Sequence, residues 1–384
     1  MKKILIVNNN MNIGGIQKAL LNLLCEIGKD YGVTLMLFCK TGGLLENVPE
    51  NIKVIEGNVF LKILGMSHAE AKKCGFFAFF LRSVFTVLTR IFKTKFTFNI
   101  LSRMFKLNEE FDCAISYMQN SAETYFYGGC AEFVLNGAKS KNKVCFIHCD
   151  FLNYGGNTKY NREILKKFNK IAVVSNSVGK RLLTAVPSLE DKVYTVHNCV
   201  NYNEIERLKE EYEPKIKKDC ISLFTASRIS EEKGILRMFP IFDSIRKNGI
   251  NFMWYIAGDG AQKAEAETLC EKCGLTKNVV FLGNLTNPYP YFYKTDIVLV
   301  PSYNEAAPMV FNEAEALGTY IFTTDTASAK EMVGDKNIGF VCGNTDAEIE
   351  KNLYNVIKNF ENIKISPQMC GNALALKEFD EIIK

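Results

Sequence analysis

Short runs of apolar residues, many of them β-branched, recur along the whole chain and alternate with longer stretches of helical periodicity. Most of these runs are continuously apolar, a pattern typical of strands that other elements cover on both faces. The runs predict strands at residues 3–7, 33–38, 52–56, 112–117, 144–148, 171–175, 193–197, 221–226, 252–257, 279–282, 297–301, 320–323 and 339–342. Helices between successive strands indicate right-handed βαβ units and mostly parallel sheets. We therefore predict an α/β protein with two Rossmann-like domains whose parallel sheets face each other across a cleft.

A charged segment divides the predicted strands into two sets. Residues 203–218 are rich in Glu and Lys, and Pro214 lies near their end, so we interpret them as a linker. The N-terminal domain would then span residues 1–202, and the C-terminal domain would span residues 219–366. Two domains also suit a length of 384 residues, which exceeds that of one ordinary compact domain.

The composition, with 47% apolar and 23% charged residues, excludes a disordered chain, a collagen and a coiled coil. The net charge of +5 is too mild to indicate nucleic acid as a partner. The 13 Cys are scattered and odd in number, and the lone pair Cys270 and Cys273 is expected to have no metal or redox role. The first residues lack an apolar core long enough for a signal peptide. We expect a cytoplasmic protein.

In open parallel sheets, ligands bind beyond the carboxyl ends of the strands. After the first predicted strand, Gly14 and Gly15 open a helix whose free N–H groups could bind a phosphate or a sugar hydroxyl. Their spacing does not match a dinucleotide-binding motif, and a tight turn is the alternative. His148 ends another apolar strand, where an imidazole can donate a hydrogen bond or act as a base unless backbone groups satisfy it.

In the C-terminal half, Arg228 and Lys233 lie five residues apart on a loop between a strand and a helix. A guanidinium and an ammonium group together suit a diphosphate, although both could be solvated loop charges. Gly258 and Gly283 follow the next two strands. Glycine at these positions would let the backbone approach a flat base, or would form an ordinary turn.

Two carboxylates follow the strand predicted at 297–301. Glu305 lies on the loop after it, Pro308 suits the first turn of the next helix, and Glu313 lies about one turn further on. Carboxylates accept hydrogen bonds from neighbouring hydroxyls such as those of ribose or a pyranose. The alternative for each is a charge that serves the helix dipole or faces water.

These motifs, in their order along the chain, resemble those of the retaining glycosyltransferases of the GT-B fold, specifically the large family 4. The resemblance rests on Ile13-Gly14-Gly15, His148, Ser227-Arg228 through Lys233-Gly234, Ala257-Gly258-Asp259-Gly260, Phe281-Leu282-Gly283, Pro301-Ser302 and the Glu305/Glu313 pair. Each motif alone is weak, whereas the ordered set spans residues 3 to about 334.

The resemblance implies an enzyme without metal or cofactor that moves a sugar from a nucleotide diphosphate sugar, expected to be a UDP-sugar, to a glycan acceptor with retention of configuration. Arg228 and Lys233 would bind the diphosphate and stabilise the leaving group, the largest expected contribution to catalysis. Glu313 would accept hydrogen bonds from the ribose, and Glu305 would accept them from the donor sugar.

In the N-terminal domain, the resemblance places His148 near the reacting carbon of the donor sugar and Gly14-Gly15 along the cleft, and it places Gly283 near the base. A C-terminal helix within residues 367–384 would cross back to the N-terminal domain. The chain departs from the family at Ala306-Ala307, where Gly-Phe is usual. This difference bears on which sugar the donor carries.

Residues 71–108 contain eight basic residues, no acidic residue and nine of the 28 Phe. Polar side chains recur there at helical spacing, which predicts two amphipathic helices with Lys or Arg on the polar face. The two stripes are Arg82, Thr86, Thr89, Arg90 and Lys93, followed by Lys95, Asn99, Ser102, Arg103 and Lys106. No uncharged stretch is long enough to cross a bilayer, and we expect the helices to lie on an anionic membrane. The alternative is that the Phe pack on the sheet of the first domain and the cations merely face water.

Together these features predict a peripheral enzyme on the cytoplasmic face of the membrane, with a lipid-linked saccharide as acceptor in surface polysaccharide synthesis. Two alternatives remain open. A nucleotide-sugar epimerase of the same fold would convert the donor without an acceptor. A scaffold that has lost catalysis would bind the donor without transferring its sugar, and Ala306-Ala307 is its only hint.

Overall fold

The computed structural model describes residues 1–363, 365–369 and 371–384, which fall into two α/β units. The first unit comprises Met1–Val200 and Asn372–Lys384, and the second comprises Asn201–Gly371. Each unit has one parallel sheet with helices between successive strands. The predicted α/β class with two Rossmann-like units is therefore confirmed.

Each strand predicted from an apolar run is present, with ends displaced by only a few residues. The strands are β1 (Lys3–Asn8), β2 (Gly32–Leu37), β3 (Lys53–Glu56), β4 (Glu110–Ser116), β5 (Lys139–Ile147), β6 (Lys170–Val173), β7 (Val193–Thr195), β8 (Ile221–Ala226), β9 (Phe252–Ala257), β10 (Val279–Gly283), β11 (Ile297–Val300), β12 (Tyr320–Thr324) and β13 (Gly339–Cys342). The first sheet has the order β3-β2-β1-β4-β5-β6-β7, and the second has the order β10-β9-β8-β11-β12-β13. Neighbouring strands in both sheets pair in parallel.

Helices connect the strands and cover both sheets. They are α1 (Gly15–Ile27), α2 (Val59–Lys62), α3 (His68–Lys73), α4 (Phe76–Arg103), α5 (Cys130–Asn136), α6 (Lys159–Leu165), α7 (Asn176–Ala185), α8 (Tyr202–Leu208), α9 (Met238–Lys247), α10 (Lys263–Lys272), α11 (Tyr289–Lys294), α12 (Met309–Leu317), α13 (Asp346–Lys358) and α14 (Ala373–Ile383).

The core of the first unit includes the last helix of the chain. Ile4 of β1 and Leu20 of α1 are fully buried, and Phe379 and Ile382 of α14 are fully buried in the same cluster. Asn142 Nδ2 at the start of β5 donates a hydrogen bond to Ile382 O at 3.0 Å. Helix α14 is thus part of the first unit, although it follows the second unit in sequence. Within the range 367–384 expected to contain this helix, Cys370 lies outside the described residues.

The core of the second unit is built around Trp254 of β9, the single Trp of the chain. Its indole Nε1 donates a hydrogen bond to Thr225 Oγ1 at 2.9 Å, and its ring centroid lies 5.0 Å from that of Phe242. A buried indole needs a hydrogen-bond acceptor for its N–H group, and Thr225 supplies one. Trp254 fluorescence can therefore report on the folding of this unit.

The segment that we interpreted as a linker, residues 203–218, is packed into the second unit. Its first residues belong to helix α8, which begins at Tyr202. The Asn201 side chain caps this helix by accepting a hydrogen bond from Glu204 N. Ile205 is buried, and Tyr212 OH donates to Asn287 O at 2.8 Å. A small buried apolar face thus fixes a segment whose composition is mostly charged. Lys364, in the range predicted for the second domain, lies outside the described residues.

Helix α4 turns much of its polar stripe toward the first unit and not toward water. Three members of the predicted polar stripes do not lie on an exposed polar face: Arg82, Thr89 and Ser102 are 6%, 0% and 0% exposed. Arg82 donates hydrogen bonds to Ile63 O and, at 3.2 Å, to Phe126 O. Thr89 Oγ1 and Thr97 Oγ1 share a hydrogen bond at 2.8 Å. Arg82 thus finds its acceptors outside the helix and Thr89 finds its partner within it, and the opposite, apolar face is left outward.

The helix is divided at Lys93, whose backbone is non-helical with φ 65°. Arg90, before this kink, and Lys93, at the kink, remain exposed. Among the residues that the structure describes, no helix has both the length and the apolar character needed to span a membrane.

Candidate functional site

Four neighbouring strands of the second sheet bring the predicted site residues to one edge. In the order β10-β9-β8-β11, the carboxyl ends of these strands lead into Gly283, Gly258, Arg228 and Glu305, respectively. Because all four strands are parallel, these residues follow the same edge of the sheet. The sheet order thus assembles motifs that are separated by up to 77 positions in the sequence.

Lys233 and Glu305 form a shielded ion pair at this edge. Lys233 Nζ lies 2.6 Å from Glu305 Oε1, and the two side chains are only 19% and 11% exposed. Ser302 Oγ donates a second hydrogen bond to the same carboxylate oxygen at 2.8 Å. The ammonium group is therefore held in place by the carboxylate. A phosphate group that approached the pair could form a second ion pair with the Lys233 ammonium.

Close backbone packing holds the two loops that carry this pair. Gly234 has φ +64°, and a Cβ at this position would lie 2.1 Å from Pro301 O. Gly258 has φ +142°, and a Cβ there would lie 1.8 Å from Ser227 O. Both positions require glycine for conformation and for space. These glycines thus allow two protein loops to pack closely. The sequence alone left open whether Gly258 would serve such packing or contact with a base.

Arg228 is the exposed cation of the cluster. Its side chain is 72% exposed, and its Nη2 lies 3.0 Å from Glu232 Oε1. An ion pair this exposed contributes little to stability and can exchange partners readily. The Arg228 guanidinium is thus accessible to an anionic ligand at the sheet edge.

Glu313 lies on helix α12 and contacts a buried tyrosine. Tyr289 OH donates to Glu313 Oε1 across 3.5 Å. Burial, together with the nearby Glu313 and Glu204 carboxylates, raises the pKa of Tyr289 far above its usual value. The phenol therefore stays protonated and can remain a hydrogen-bond donor to Glu313.

Sequence reasoning missed Arg237, which is 7% exposed beneath the same loops. Its Nη2 donates to Pro301 O at 2.5 Å and to Asn344 Oδ1 at 2.8 Å, and its guanidinium lies 4.0 Å from the Tyr303 ring centroid. Arg237 therefore ties the loop after β11 to the loop after β13. The only available signal was a cation inside the apolar run of residues 235–239.

In the first unit, His148 follows β5 in an aromatic environment. Its ring stacks on Phe146 at 5.5 Å and lies 4.5 Å from the Tyr117 ring. Its Nε2 is buried and has no hydrogen-bond partner among the described residues. Burial lowers the pKa of His148 to about 3, although the backbone of Tyr117 partly opposes this effect. The imidazole is therefore neutral at physiological pH.

Gly14 and Gly15 begin helix α1. Gly14 is the N-cap residue and supplies no side-chain cap, and a Cβ at Gly15 would meet no atom within 4 Å. The adjoining Ile13 is 83% exposed. The open space next to the first turn of α1 is compatible with the predicted contact to a ligand, and it leaves the alternative of a simple turn in place.

The loop before α1 is held by buried asparagines that the sequence did not single out. Asn9 Nδ2 donates to Gly128 O at 3.0 Å, and Asn10 Nδ2 donates to Gly65 O at 2.7 Å. Both side chains are almost completely buried. They fix the end of β1 from below, so that Gly14 and Gly15 follow a well-defined loop.

The described residues hold no group of three or more His, Cys, Asp or Glu side chains arranged to bind a metal ion.

Residues 206–373 match the family model described as Glycosyl transferases group 1. Over this region, which is less than half of the chain, the sequence is similar to that family. The resemblance inferred from the ordered motifs is confirmed at this level. The matched residues include Arg228, Lys233, Glu305 and Glu313, so the cluster lies within the family domain.

Two curated relatives support this assignment. An uncharacterized glycosyltransferase of Methanocaldococcus jannaschii is 26% identical over 164 residues, which cover 41% of this chain and 40% of the relative. The capsular polysaccharide biosynthesis glycosyltransferase CapM of Staphylococcus aureus is 23% identical over 184 residues, which cover 44% of this chain and 47% of the relative. Each match thus spans less than half of the relative's length.

Among solved structures, that of Anabaena HepE in complex with UDP-glucose superposes with a TM-score of 0.66 at 15% identity. The match covers 100% of this chain and 94% of that one. The match extends over both units, and the chain has the GT-B fold.

The buried His148 should make the first unit sensitive to acid. The unfolded state binds a proton near pH 6.5 and the folded state only near pH 3, so stability is lost as pH falls below about 6.5. The loss approaches about 1.4 kcal/mol per pH unit for one proton. Urea unfolding followed by circular dichroism between pH 7.5 and 5 should show a shallower dependence for His148→Gln. Equal slopes for the two chains would show that His148 is protonated in the folded state.

Proposed function

We propose that the chain transfers a sugar from a nucleotide diphosphate sugar, in the first instance a UDP-sugar, to a glycan acceptor with retention of configuration. The observation that carries the proposal is the cluster of Arg228, Lys233 and Glu305 at the carboxyl edge of the second sheet. It lies inside the region that matches the glycosyl transferases group 1 model. Retention is supported by the resemblance of the ordered motifs to family 4.

The charges of the cluster suit a departing diphosphate. The exposed guanidinium of Arg228 can present a planar pair of donors, and the Lys233 ammonium can move its charge from Glu305 toward phosphate oxygens. Such preorganised donors stabilise the charge that develops on the leaving group, and the loss of one commonly costs about 3 kcal/mol of barrier. In this proposal Arg228 and Lys233 stabilise the charge on the leaving diphosphate, and the reaction needs no metal.

The carboxylates and the buried imidazole would orient the sugar nucleotide. Glu313, with Tyr289 OH beside it, is proposed to accept hydrogen bonds from the ribose hydroxyls, and Glu305 from hydroxyls of the donor sugar. The neutral His148 would act as a hydrogen-bonding group near the reacting carbon, since its low pKa keeps it uncharged. Gly14 and Gly15 would contact the ligand from the first turn of α1, where the space next to Gly15 is open.

The acceptor is proposed to be a lipid-linked saccharide in surface polysaccharide synthesis, on the cytoplasmic face of a membrane. The name of the relative CapM refers to capsular polysaccharide biosynthesis, and the HepE complex contains UDP-glucose. These names motivate the choice of UDP-sugars and of a polysaccharide acceptor. The exposed apolar and basic surface of α4 motivates the choice of a membrane-bound acceptor.

A thermal-shift screen of nucleotide diphosphate sugars tests the proposal. A ligand at 100 times its Kd stabilises the folded chain by about 2.7 kcal/mol, and we expect this stabilisation from one UDP-sugar. Arg228→Ala should abolish most of the shift and lower donor turnover about a hundredfold. Arg246→Ala is the matched control, because Arg246 is also paired to an acidic neighbour but lies on α9.

The same experiment separates the alternatives. No shift with any nucleotide sugar would overturn the proposal. Conversion of the donor to a different sugar nucleotide without an acceptor would identify an epimerase. Binding of the donor without transfer or hydrolysis would identify a scaffold. Ala306→Gly with Ala307→Phe would then be the first variant to test for restored transfer.

A further inference from the structure

One face of helix α4 exposes large apolar side chains to solvent. Phe76, Phe80, Val87, Ile91, Phe92 and Phe96 are between 46% and 83% exposed. The Phe76 and Phe80 rings stack at 6.2 Å before the kink, and the Phe92 and Phe96 rings lie 5.4 Å apart around it. Exposed apolar side chains that cluster in this way mark an interaction site.

The helix cannot readily rotate to hide this face. Its other side is fixed by the buried Arg82, which donates hydrogen bonds to Ile63 O and Phe126 O outside the helix. Rotation would leave a guanidinium and buried carbonyl groups without partners, which is costly. The outward apolar face is therefore a stable property of the folded unit.

The charges around the face identify its partner. Arg90, Lys93, Lys95 and Arg103 are exposed on the same helix, and residues 71–108 contain no acidic residue. Two copies of the chain that met through this face would bring these like charges together, which opposes association. A lipid surface with anionic headgroups offers apolar volume and negative charge at once.

We propose that the apolar face of α4 inserts into the interfacial layer of an anionic bilayer, with Arg90, Lys93 and Lys95 at the level of the lipid phosphates. The inference rests on the proposed function in taking an acceptor-bearing membrane as the partner. It assigns the membrane contact to the aromatic face of the helix, because Arg82 of the polar stripe is buried.

The insertion would place the membrane close to the loop that leads into α1. Glu70 of α3, the helix before α4, accepts a hydrogen bond from Asn12 Nδ2 at 3.3 Å. Asn12 lies two residues before Gly14. A lipid-linked acceptor could therefore remain in the bilayer while its saccharide approaches this loop.

Flotation of the full chain with vesicles tests the inference. Vesicles of equal parts phosphatidylcholine and phosphatidylglycerol should bind the chain, and pure phosphatidylcholine vesicles should bind it less. Phe80→Gln with Phe92→Gln should weaken partitioning by roughly tenfold or more, since two aromatic side chains would no longer leave water on insertion. Leu374→Gln, at an equally exposed apolar position on α14, is the control and should have no effect.

A tryptophan probe distinguishes insertion from adsorption. In Phe92→Trp, the new indole should shift its emission to the blue on vesicle addition and be quenched by brominated lipid chains. The buried Trp254 supplies a constant background. High salt should weaken binding of Arg90→Gln/Lys93→Gln/Lys95→Gln less than that of the native chain.

Two outcomes would overturn the inference. One is a failed membrane test, in which the native chain does not bind anionic vesicles or Phe80→Gln/Phe92→Gln binds them as well as the native chain does. The other is self-association of the native chain that the same substitutions abolish, which would assign the face to a second copy. UDP binding, measured in parallel by thermal shift, reports on the proposed function separately, because a chain that binds UDP but not vesicles contradicts only the membrane inference.

Discussion

Glu305→Ala is expected to lower the rate of sugar transfer about a hundredfold or more in a chain that remains folded. Glu305 Oε1 lies 2.6 Å from Lys233 Nζ and accepts from Ser302 Oγ at 2.8 Å. Its removal frees the Lys233 ammonium to leave the site and deletes an acceptor for donor hydroxyls. The measurement is release of nucleoside diphosphate from the nucleotide sugar that gives the largest thermal shift.

The controls separate chemistry from stability. Glu231→Ala removes an exposed carboxylate close to Lys233 in sequence and should leave turnover nearly normal. The double variant Lys233→Met/Glu305→Ala removes both members of the pair, so it should recover part of any lost stability without recovering activity. Near-normal turnover of Glu305→Ala would refute the assignment of this carboxylate to the donor site.

Arg237→Met is expected to destabilise the second unit by about 3 kcal/mol and to lower turnover at least tenfold. The substitution leaves Pro301 O and Asn344 Oδ1 without the donor that joins their loops. Ser302 lies next to Pro301 and holds Glu305, so the carboxylate should lose its fixed position as well. Urea unfolding followed by Trp254 fluorescence measures the stability of this unit directly.

A conservative variant and a surface variant complete the test. Arg237→Lys keeps the charge but lacks the fork that reaches two acceptors, so it should restore part of the stability and less of the turnover. Arg246→Met, on the exposed side of α9, should change neither quantity appreciably. If the unfolding transition of Arg237→Met matched that of the native chain, the proposed bracing role of Arg237 would be wrong.

Much of the fold could be predicted because apolar runs carry local information. A strand covered on both faces must be apolar at nearly every position, and Ile4 to Val7 of β1 are fully buried, as such a run requires. Composition was a weaker guide. Residues 203–218 suggested a linker through their charges, yet one buried face around Ile205 packs them into the second unit.

The residues at the sheet edge could be predicted from the sequence, but the residue that holds their loops together could not. Motifs after β8 and β11 pointed to Arg228, Lys233 and Glu305, because ligands gather where parallel strands end. Arg237 escaped notice, since its acceptors lie 64 and 107 residues away and no local pattern connects them.

The sequence by itself determined which residues share a face of α4, and the tertiary structure decided which way that face points. Helical periodicity groups Arg82 with Thr89 because both follow from the pitch of the helix. The inward orientation of this face depends on Ile63 O and Phe126 O, which accept hydrogen bonds from Arg82 and lie 19 and 44 residues from it. A cation goes inward only where distant acceptors replace the water that it loses, and that condition exists only in the folded chain.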